Sequence, residues 1–327
     1  MRLKLVPDQT NFNFFKYAKA TFGASIVAMI LSIGIWLTVG LNFGIDFLGG
    51  TTIRTQATEP VVVADYRAAL DPLGLGDIAI TEVNDPTFDD DQFVAQVRIQ
   101  AQEGQEAITP ETINAVQDAL RTVYPAMTFP SVESVGPEVS GELIITALIA
   151  VAASLAAILV YIWLRFEWQF SVGAVAALVH DIVLTIGVFS LLQIRFDLAT
   201  IAALLTIVGY SINDTVVIFD RLRENLIKYK QRALRDVMNL SANETLSRTL
   251  MTSGTTLVAL LALLILGGDV IRGFVFAIFW GVIVGTYSSI YVAKNVVLMI
   301  GVKRDWSKPS EGGSGGPSGT QFGNVDA

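Results

Sequence analysis

Long apolar stretches, each bounded by charged residues, dominate the hydrophobic pattern of this sequence. A helix that crosses a bilayer needs about 20 predominantly apolar residues, and six stretches meet this requirement. The predicted membrane helices are 20–41, 143–164, 169–191, 198–219, 249–268 and 273–300. Two of them carry acidic residues inside the apolar stretch, Asp181 in the third and Asp214 in the fourth. The pattern therefore predicts an α-helical polytopic membrane protein.

The first of these stretches has an alternative interpretation, because it lies close to the N-terminus. A signal peptide has a shorter apolar region and is followed by a cleavage site of small residues. Residues 41–50 do not contain such a site. We interpret 20–41 as an uncleaved signal-anchor.

Between the first and second membrane helices, the long apolar stretches give way to short segments with the periodicity of strands and of amphipathic helices. Residues 51–55, 78–83, 93–99 and 127–135 read as strands, and 61–73 and 108–124 read as helices. Thr109 is a predicted N-cap, with Pro110 at the first helical position. The order β-α-β-β-α-β is typical of a ferredoxin-like fold. The sequence thus predicts a small α+β domain, 42–140, inserted between the first two membrane helices.

Glycines mark both ends of this inserted domain. Gly49 and Gly50 suit a tight bend where the chain leaves the first helix. Gly136 and Pro137 are predicted to redirect the last strand into the second membrane helix. Asp46 has two interpretations: it hydrogen-bonds this turn, or it serves a transport path.

The composition agrees with a membrane protein and narrows the possible chemistry. Charged residues make up 16% of the chain, against about 25% in soluble domains. There is no cysteine and one histidine, His180, so disulfides are excluded and we expect no metal site. The sequence contains no phosphate-binding loop and no catalytic cluster. We expect no catalytic residues and no ATPase activity.

The charges are distributed unevenly along the chain. Residues 42–140 contain 16 acidic and 4 basic residues, within a total net charge of −8. Basic residues concentrate in 1–19, 220–248 and 301–327. Because basic residues favour the cytoplasmic side, both termini are predicted to be cytoplasmic and the acidic domain extracytoplasmic. We interpret 220–248 as an amphipathic cytoplasmic loop, of which 220–235 lies along the membrane surface, and the Gly/Ser-rich 301–327 as a disordered tail.

Ionisable residues at bilayer depth are costly and therefore indicate function. Asp214 is the first candidate; Tyr210 and Ser211 lie one turn before it, and Asn213 precedes it directly. A carboxyl group in a low dielectric tends to hold its proton, and a nearby cation favours release. Arg248, at the start of the fifth helix, is the natural counter-charge, so Asp214 and Arg248 form a candidate proton relay.

Other polar residues extend this candidate site, and each has a structural alternative. His180 and Asp181 lie near the middle of the third helix, and Thr252 follows Arg248 by one turn. Asp214 or Asp181 can instead be a buried hydrogen-bond partner, and Arg248 can anchor its helix at the interface. The threonines of the fifth helix can serve helix packing.

Several short motifs lie along the chain, and some of them contain the polar residues named above. They are G-I-D-F-L-G-G at 44–50, V-G-P-E-V-S-G-E-L at 135–143, R-F-E-W at 165–168, H-D at 180–181, V-G-Y-S-I-N-D-T at 208–215, D-R-L-R-E-N at 220–225 and N-E-T-L-S-R-T at 243–249. In combination, across roughly residues 14–300, the sequence resembles the SecF family, subunits of the bacterial SecDF protein-translocation factor in the resistance-nodulation-division (RND) superfamily.

The resemblance implies a partner, SecD, and association with the SecYEG channel, with YajC and YidC as further partners. It implies location in the bacterial inner membrane and use of the proton-motive force to assist late preprotein translocation. Protons would be the coupling ion, without another cofactor, and the family's proton-coupling residues match Asp214 and Arg248. Six helices would then form an RND-like half. The remaining contacts that the resemblance implies are with preprotein, at the extracytoplasmic face, and with membrane lipid. It implies no nucleic acid.

Two other function classes remain at this point. One is a proton-driven RND-type exporter half for small or lipophilic substrates. Exporters of that type normally have twice as many membrane helices and two large external domains, whereas this chain has one. The other is a membrane receptor or scaffold without a proton role.

Overall fold

A computed structural model describes residues 10–76, 78–83, 93–100 and 108–302. The helices are α1 (Ala18–Val39), α2 (Ile45–Leu48), α3 (Val63–Leu70), α4 (Pro110–Val123), α5 (Pro137–Arg165), α6 (Trp168–Leu192), α7 (Leu198–Lys228), α8 (Leu234–Leu266), α9 (Asp269–Ser288) and α10 (Lys294–Ile300). The strands are β1 (Asn42–Phe43), β2 (Gly50–Ala57), β3 (Ile78–Val83), β4 (Phe93–Gln100), β5 (Thr128–Val135) and β6 (Arg195–Phe196). A short 3-10 helix (Asp71–Leu73) follows α3.

Within the described residues, six helical segments are long and apolar enough to cross a membrane. They are Ala18–Val39, Val139–Arg165, Trp168–Leu192, Leu198–Lys228, Leu234–Leu266 and Ile271–Ile300. This confirms the predicted six-helix membrane protein. The helices α6, α7 and α9 form the centre of the bundle, whereas α1, α5 and α8 leave broad apolar faces exposed.

The two ends of this bundle differ in charge. The inserted domain lies at one end, where α1 finishes and α5 starts. At the other end, here called the basic end, Arg165 donates to Asp220 at 3.2 Å, and Arg221 donates to Glu244 at 2.7 Å.

Glycines allow α9 to pack closely against α7. A Cβ on Gly281 would overlap the side chain of Ile207, and a Cβ on Gly285 would lie 3.0 Å from the Ser211 side chain. Small residues at such spacing let membrane helices approach each other. Gly281 and Gly285, four residues apart, therefore form a face of α9 that packs against α7.

The inserted domain has the predicted order of elements. Its four strands form an antiparallel sheet in the order β3-β4-β2-β5, and α3 and α4 pack on one face. This is the ferredoxin-like arrangement, in which the first and third strands are central. Thr109 caps α4 as predicted, because its hydroxyl accepts from the Thr112 N–H at 3.4 Å. The buried core of the domain includes Ile53, Tyr66, Leu70, Val97, Val116 and Leu120.

Sharp bends connect this domain to the membrane helices. Gly49 and Gly50 have φ values of 70° and 125°, a region that side-chain-bearing residues rarely adopt. At the other boundary β5 ends at Val135, Gly136 is the N-cap residue of α5 with an extended backbone, and Pro137 starts the helix. Both predicted bends are present.

The segment 220–248, predicted as a surface loop, is helical except for residues 229–233. Residues 220–228 continue α7 and residues 234–248 belong to α8, so that prediction is wrong. The apolar stripe of the segment packs within the protein instead of against lipid: Leu222, Leu226, Val237 and Met238 lie together in one buried core. Amphipathicity alone cannot distinguish these two destinations.

The last membrane helix is interrupted by a π turn, Ser289–Ala293, between α9 and α10. At this turn α6 comes close, since a Cβ on Gly173 would lie 2.8 Å from the Ala293 carbonyl oxygen. The buried residue Lys294 follows the turn directly. Turns of this kind are rare and occur frequently at functional sites. The predicted tail, 301–327, lies outside the described residues from residue 303 onward.

Candidate functional site

Asp214 lies in the middle of α7 and is 3% exposed. The Ser253 hydroxyl and the Arg248 guanidinium, both of α8, influence this carboxylate electrostatically. Ser253 in turn contacts the Thr286 hydroxyl of α9 at 2.7 Å. The carboxylate is therefore a buried protonatable group beside polar residues of α8, and Ser253 in turn connects α8 to α9.

Arg248 of α8 is exposed, in contrast to Asp214. Both residues are described by the structure, and they do not form a direct ion pair there. The interaction between them is electrostatic and acts over a longer distance. An arginine in this position can approach the carboxylate or withdraw from it when α7 and α8 move relative to each other.

The residues that precede Asp214 on α7 contact other helices. Ser211 is buried and donates to the Asp181 Oδ2 atom at 2.7 Å, whereas Tyr210 donates to the Thr256 hydroxyl at 3.3 Å. Neither bonds to Asp214, although the helical spacing places them one turn away. Asn213 is exposed.

Thr252 is half-buried and bonds within its own helix. Its hydroxyl donates to the Arg248 and Thr249 carbonyl oxygens, both at 3.1 Å. Thr255 and Thr256 make similar bonds to the preceding turn. These threonines bond to the preceding turn of their own helix, as is common in membrane helices, and Thr256 also accepts from Tyr210 of α7.

Asp181 is fully buried at the centre of a second polar cluster. Its Oδ1 atom lies 3.0 Å from His180 Nδ1, and its Oδ2 atom accepts from Ser211 and Ser288 at 2.7 and 2.8 Å. These contacts join α6, α7 and α9. Every carboxylate oxygen therefore has a donor, which is the condition under which a buried carboxylate is tolerated.

His180 lies beside this cluster with its ring stacked on Tyr287, at 6.0 Å between centroids. The Tyr287 hydroxyl donates to the Thr21 carbonyl oxygen of α1 at 2.9 Å and contacts Ser25 at 3.0 Å. Among the described residues, His180 Nε2 has no hydrogen-bond partner. The predicted auxiliary pair, His180 and Asp181, thus lies in the core of the bundle, apart from Arg248.

The G-I-D-F-L-G-G segment contacts the start of α7. The Asp46 carboxylate accepts from the Leu198 N–H at 3.0 Å, and Asp197 accepts from the Thr200 N–H at 2.9 Å. Negative charge at a helix N-terminus is stabilising. Strand β1 also pairs in parallel with β6 just before α7. One interpretation of Asp46 was a hydrogen bond to its own turn. Among the described residues its carboxylate bonds instead to the first turn of α7, so that interpretation is wrong.

Among the described residues, nothing covers parts of the α7 and α8 surfaces near this site. Gly209 and Gly254 are exposed, and a Cβ on either would have no neighbouring atom within 4 Å. Asn213 is exposed one turn after Gly209 on α7, and Arg248 is exposed elsewhere on α8. Small and polar residues together are typical of a surface on which other membrane helices pack.

Ser253, Thr286 and Ser288 complete the two polar clusters, and the sequence pattern did not single them out. Each is a small hydroxyl residue within an apolar helix. Such residues are common in membrane helices and usually bond to the preceding turn, so the pattern alone does not identify them. Lys294 was also missed, although it lies inside the predicted sixth membrane helix, 273–300.

Two family models match this chain. The model of the protein export membrane protein SecD/SecF, C-terminal, matches residues 115–303. The model of the SecD/SecF GG motif matches residues 34–61, which include the bend at Gly49 and Gly50. The two matches cover the domain boundary and both polar clusters.

Relatives are similar over the whole chain. The protein translocase subunit SecF of Cereibacter sphaeroides is 65% identical over 326 residues, which cover 100% of this chain and 99% of the relative. The SecF subunit of Rhodobacter capsulatus is 63% identical over 313 residues, or 94% of each chain.

Solved structures agree with this similarity. The crystal structure of SecDF, a translocon-associated membrane protein from Thermus thermophilus, matches with a TM-score of 0.80 and 38% identity. SecDF in a super-membrane-facing form matches with a TM-score of 0.66 and 39% identity. Each match covers 90% of this chain but 39% of the SecDF chain. The chain therefore belongs to the SecF family of protein translocase subunits.

Proposed function

We propose that this subunit works with SecD and the SecYEG channel, and uses the proton-motive force to assist late steps of preprotein translocation. Asp214 takes up and releases the proton, and Arg248 is its counter-charge. Protons are the coupling ion, and neither another cofactor nor ATP hydrolysis takes part. YajC and YidC are further partners in this proposal. The similarity to SecF subunits over the whole chain does not support the alternative function, an exporter half for small or lipophilic substrates.

The observation that carries this proposal is the position of the Asp214 carboxylate. It is 3% exposed, is influenced by the Ser253 hydroxyl of α8, and has Arg248 within electrostatic range without a direct ion pair. A buried carboxyl group without a fixed cation gains or loses its proton according to how close that cation comes. Proton binding at Asp214 is thereby coupled to the relative positions of α7 and α8.

The charge distribution supports location in the bacterial inner membrane with both termini in the cytoplasm. The described basic residues concentrate at the basic end of the bundle, and such residues favour the cytoplasmic side. They are Lys16, Lys19, Arg165, Arg221, Arg223, Lys228, Lys230, Arg232 and Arg235. The α+β domain then lies on the extracytoplasmic side, where a preprotein emerges from the channel.

The uncovered faces of α7 and α8 support the partnership with SecD. The SecDF chains of known structure are longer than this chain, which corresponds to 39% of their length. Helices from a second subunit would cover Gly209, Asn213, Arg248 and Gly254. In this arrangement Asp214 and Arg248 lie next to a subunit interface, where a proton-dependent change affects both subunits.

Helix α7 connects the proton site with the domain. Asp214 lies 16 residues beyond Leu198, which corresponds to about 24 Å of helix. The first turn of α7 is bonded to the segment that leads into the domain, through Asp46 and through the pairing of β1 with β6. A shift of α7 at Asp214 therefore reaches the root of the domain without an intervening flexible segment.

The test of this proposal is Asp214→Asn in the complex with SecD and SecYEG, reconstituted in vesicles. We expect proton-dependent stimulation of preprotein export to disappear while the subunits still co-purify. The matched control is Asp236→Asn, an exposed acid in the first turn of α8, which should export normally. Normal export by Asp214→Asn under an imposed proton gradient would contradict the proposal.

A further inference from the structure

The segment Thr10–Lys16, which precedes α1, lies against α8 and is here called the N-terminal strap. Two asparagines of α8, one turn apart, bind its backbone. The Phe12 N–H donates to Asn243 Oδ1 at 2.7 Å, and the Phe14 N–H donates to Asn239 Oδ1 at 2.9 Å. Both asparagine amides also donate to the Phe12 carbonyl oxygen, at 2.8 and 3.0 Å. The side chains of α8 thus bind alternate strap residues as a neighbouring strand would.

Arg235 extends this binding face by another turn of α8. Its guanidinium donates to the Phe15 carbonyl oxygen and lies 5.9 Å from the centroid of the Phe15 ring. At the other end, the Thr10 hydroxyl donates to Asn243 Oδ1 at 2.8 Å. Because Arg235, Asn239 and Asn243 are spaced four residues apart, they share one face of the helix. Three successive turns of α8 therefore hold the strap in a defined position.

The aromatic residues of the strap enter the bundle close to the proton site. Phe14 packs on Ile218 of α7, Leu246 of α8 and Ile290 of the π turn. Ile218 lies one turn beyond Asp214, towards the basic end, and Leu246 lies two residues before Arg248. Phe14 consequently closes the space between α7 and α8 on the basic side of Asp214.

Lys294 lies beneath the strap and is 0% exposed. Its ammonium group is 4.9 Å from the Phe14 ring centroid and 5.4 Å from that of Phe15. Among the described residues it has no hydrogen-bond partner. Cation–π contacts stabilise a desolvated cation only partly, and burial without a hydrogen bond is costly. Removal of the strap would expose Lys294 to water and remove this cost. The burial of Lys294 therefore disfavours the docked position of the strap.

We propose that the N-terminal strap is a removable plug between Asp214 and the basic end of the bundle. Asn239 and Asn243 are the positioning residues that hold it, and the buried Lys294 favours its release. This inference rests on the proposed proton role of Asp214: when the strap is docked, the proton on Asp214 is closed off from the cytoplasm, and when it is released, that proton can leave. The strap must therefore detach and dock again in each proton cycle.

The first experiment fixes the strap in place. The chain contains no cysteine, so Thr10→Cys with Asn243→Cys introduces one defined pair at side chains that already touch. In vesicles with SecD and SecYEG, oxidation should abolish the proton-dependent stimulation of export that the reduced double variant shows, and reduction should return it to that variant's own starting level. Each single-cysteine variant should be unaffected by oxidation. Full activity of the oxidised protein, with the disulfide verified by mass spectrometry, would overturn the inference.

The second experiment loosens the strap and reads a signal that a purely structural role does not change. Asn239→Ala with Asn243→Ala should raise the passive proton leak of the same vesicles several-fold, measured with a pH-sensitive dye. Asn114→Ala, at an exposed position of α4 in the α+β domain, is the control. Adding Asp214→Asn to the loosened chain should remove the leak. A leak that persists without the carboxylate, or no leak at all, contradicts the plug.

The two proposals fail in different ways. If Asp214→Asn alone leaves proton-driven export normal, the proposed function is wrong, whatever the strap variants do. If Asp214→Asn abolishes stimulation but the oxidised strap remains active, the function stands and the plug is wrong.

Discussion

The carboxylate of Asp46 accepts a hydrogen bond from the backbone N–H of Leu198, at a distance of 3.0 Å. The two residues are 152 positions apart in the chain, and the whole α+β domain lies between them. The bond connects the root of the domain to the first turn of the helix that carries Asp214. An acidic residue just before a glycine bend thus has a structural role in a different helix.

Replacement of Asp46 tests whether this bond transmits movement. Asp46→Ala removes the acceptor, and loss of a helix cap costs about 1 kcal/mol. Asp46→Asn retains an oxygen acceptor but loses the favourable charge at the helix N-terminus, so it should cost less. We expect a lower melting temperature of the purified subunit, and weaker export in the order wild type, Asn, Ala.

The control for this prediction is Glu59→Ala, an exposed acid of the same domain. It should change neither stability nor export. If Asp46→Ala melts at a lower temperature but exports normally, the bond stabilises the fold and carries no movement.

Arg248 offers a test of the electrostatic part of the mechanism. Arg248→Ala removes the cation that acts on Asp214 and should abolish proton-dependent stimulation of export. Arg248→Lys keeps the charge and should retain a substantial part of the activity. Export by inverted vesicles under an imposed proton gradient is the measurement. Equal and normal activity of both variants would leave Arg248 only an anchoring role at the membrane interface.

The cluster around Asp181 predicts a contrast between two substitutions. Asp181→Ala leaves the His180, Ser211 and Ser288 donors without an acceptor, at a cost of about 1–3 kcal/mol for each buried group. Asp181→Asn keeps one acceptor oxygen and should be clearly more stable. Denaturant unfolding in detergent measures this difference.

The export activity of the same pair separates the two interpretations of Asp181. If Asp181 is a structural partner alone, Asp181→Asn exports normally wherever it is folded. A folded Asp181→Asn protein that has lost proton-dependent stimulation would instead give Asp181 a role in proton transfer.

A glycine in a packed helix contact and glycines at uncovered positions should respond differently to added side chains. Gly281 of α9 packs against α7, whereas Gly209 of α7 and Gly254 of α8 are exposed. Gly281→Ala would force a Cβ into Ile207, so we expect destabilisation of the subunit itself, by about 1–3 kcal/mol. Gly209→Leu and Gly254→Leu have free space within the chain. These variants should fold normally and lose SecD in co-purification. If Gly209→Leu and Gly254→Leu both retain SecD, the partner does not pack on this face.

The positions of charged residues made much of the fold predictable. Charges ended each apolar stretch, so all six helices followed from their spacing. The alternation of short patterns gave the β-α-β-β-α-β order. By contrast, residues 220–248 look amphipathic whether their apolar stripe meets lipid or another helix, and here Leu222 and Val237 meet each other. Their destination depends on tertiary packing, which periodicity does not encode.

The candidate site was predictable in its main residue but not in its geometry. Asp214 stood out because a carboxylate within an apolar helix is rare. The sequence does not show that Ser211 bonds to Asp181, nor that Arg248 lies on an uncovered face, since both depend on how the helices rotate about their axes. Helical spacing alone placed Ser211 beside Asp214, yet its hydroxyl bonds to α6.

The uncovered face of α7 and α8 has a consequence for the amount of subunit in a cell. With Asn213 and Arg248 exposed, the unaccompanied subunit leaves two polar side chains uncovered on membrane helices, and polar side chains that meet lipid are costly. A second subunit that covers this face removes the cost, and binding of this kind stabilises only the folded form. The folded population therefore rises with the concentration of its companion. By mass action, unequal synthesis of the two proteins would leave the surplus copies as the least stable ones.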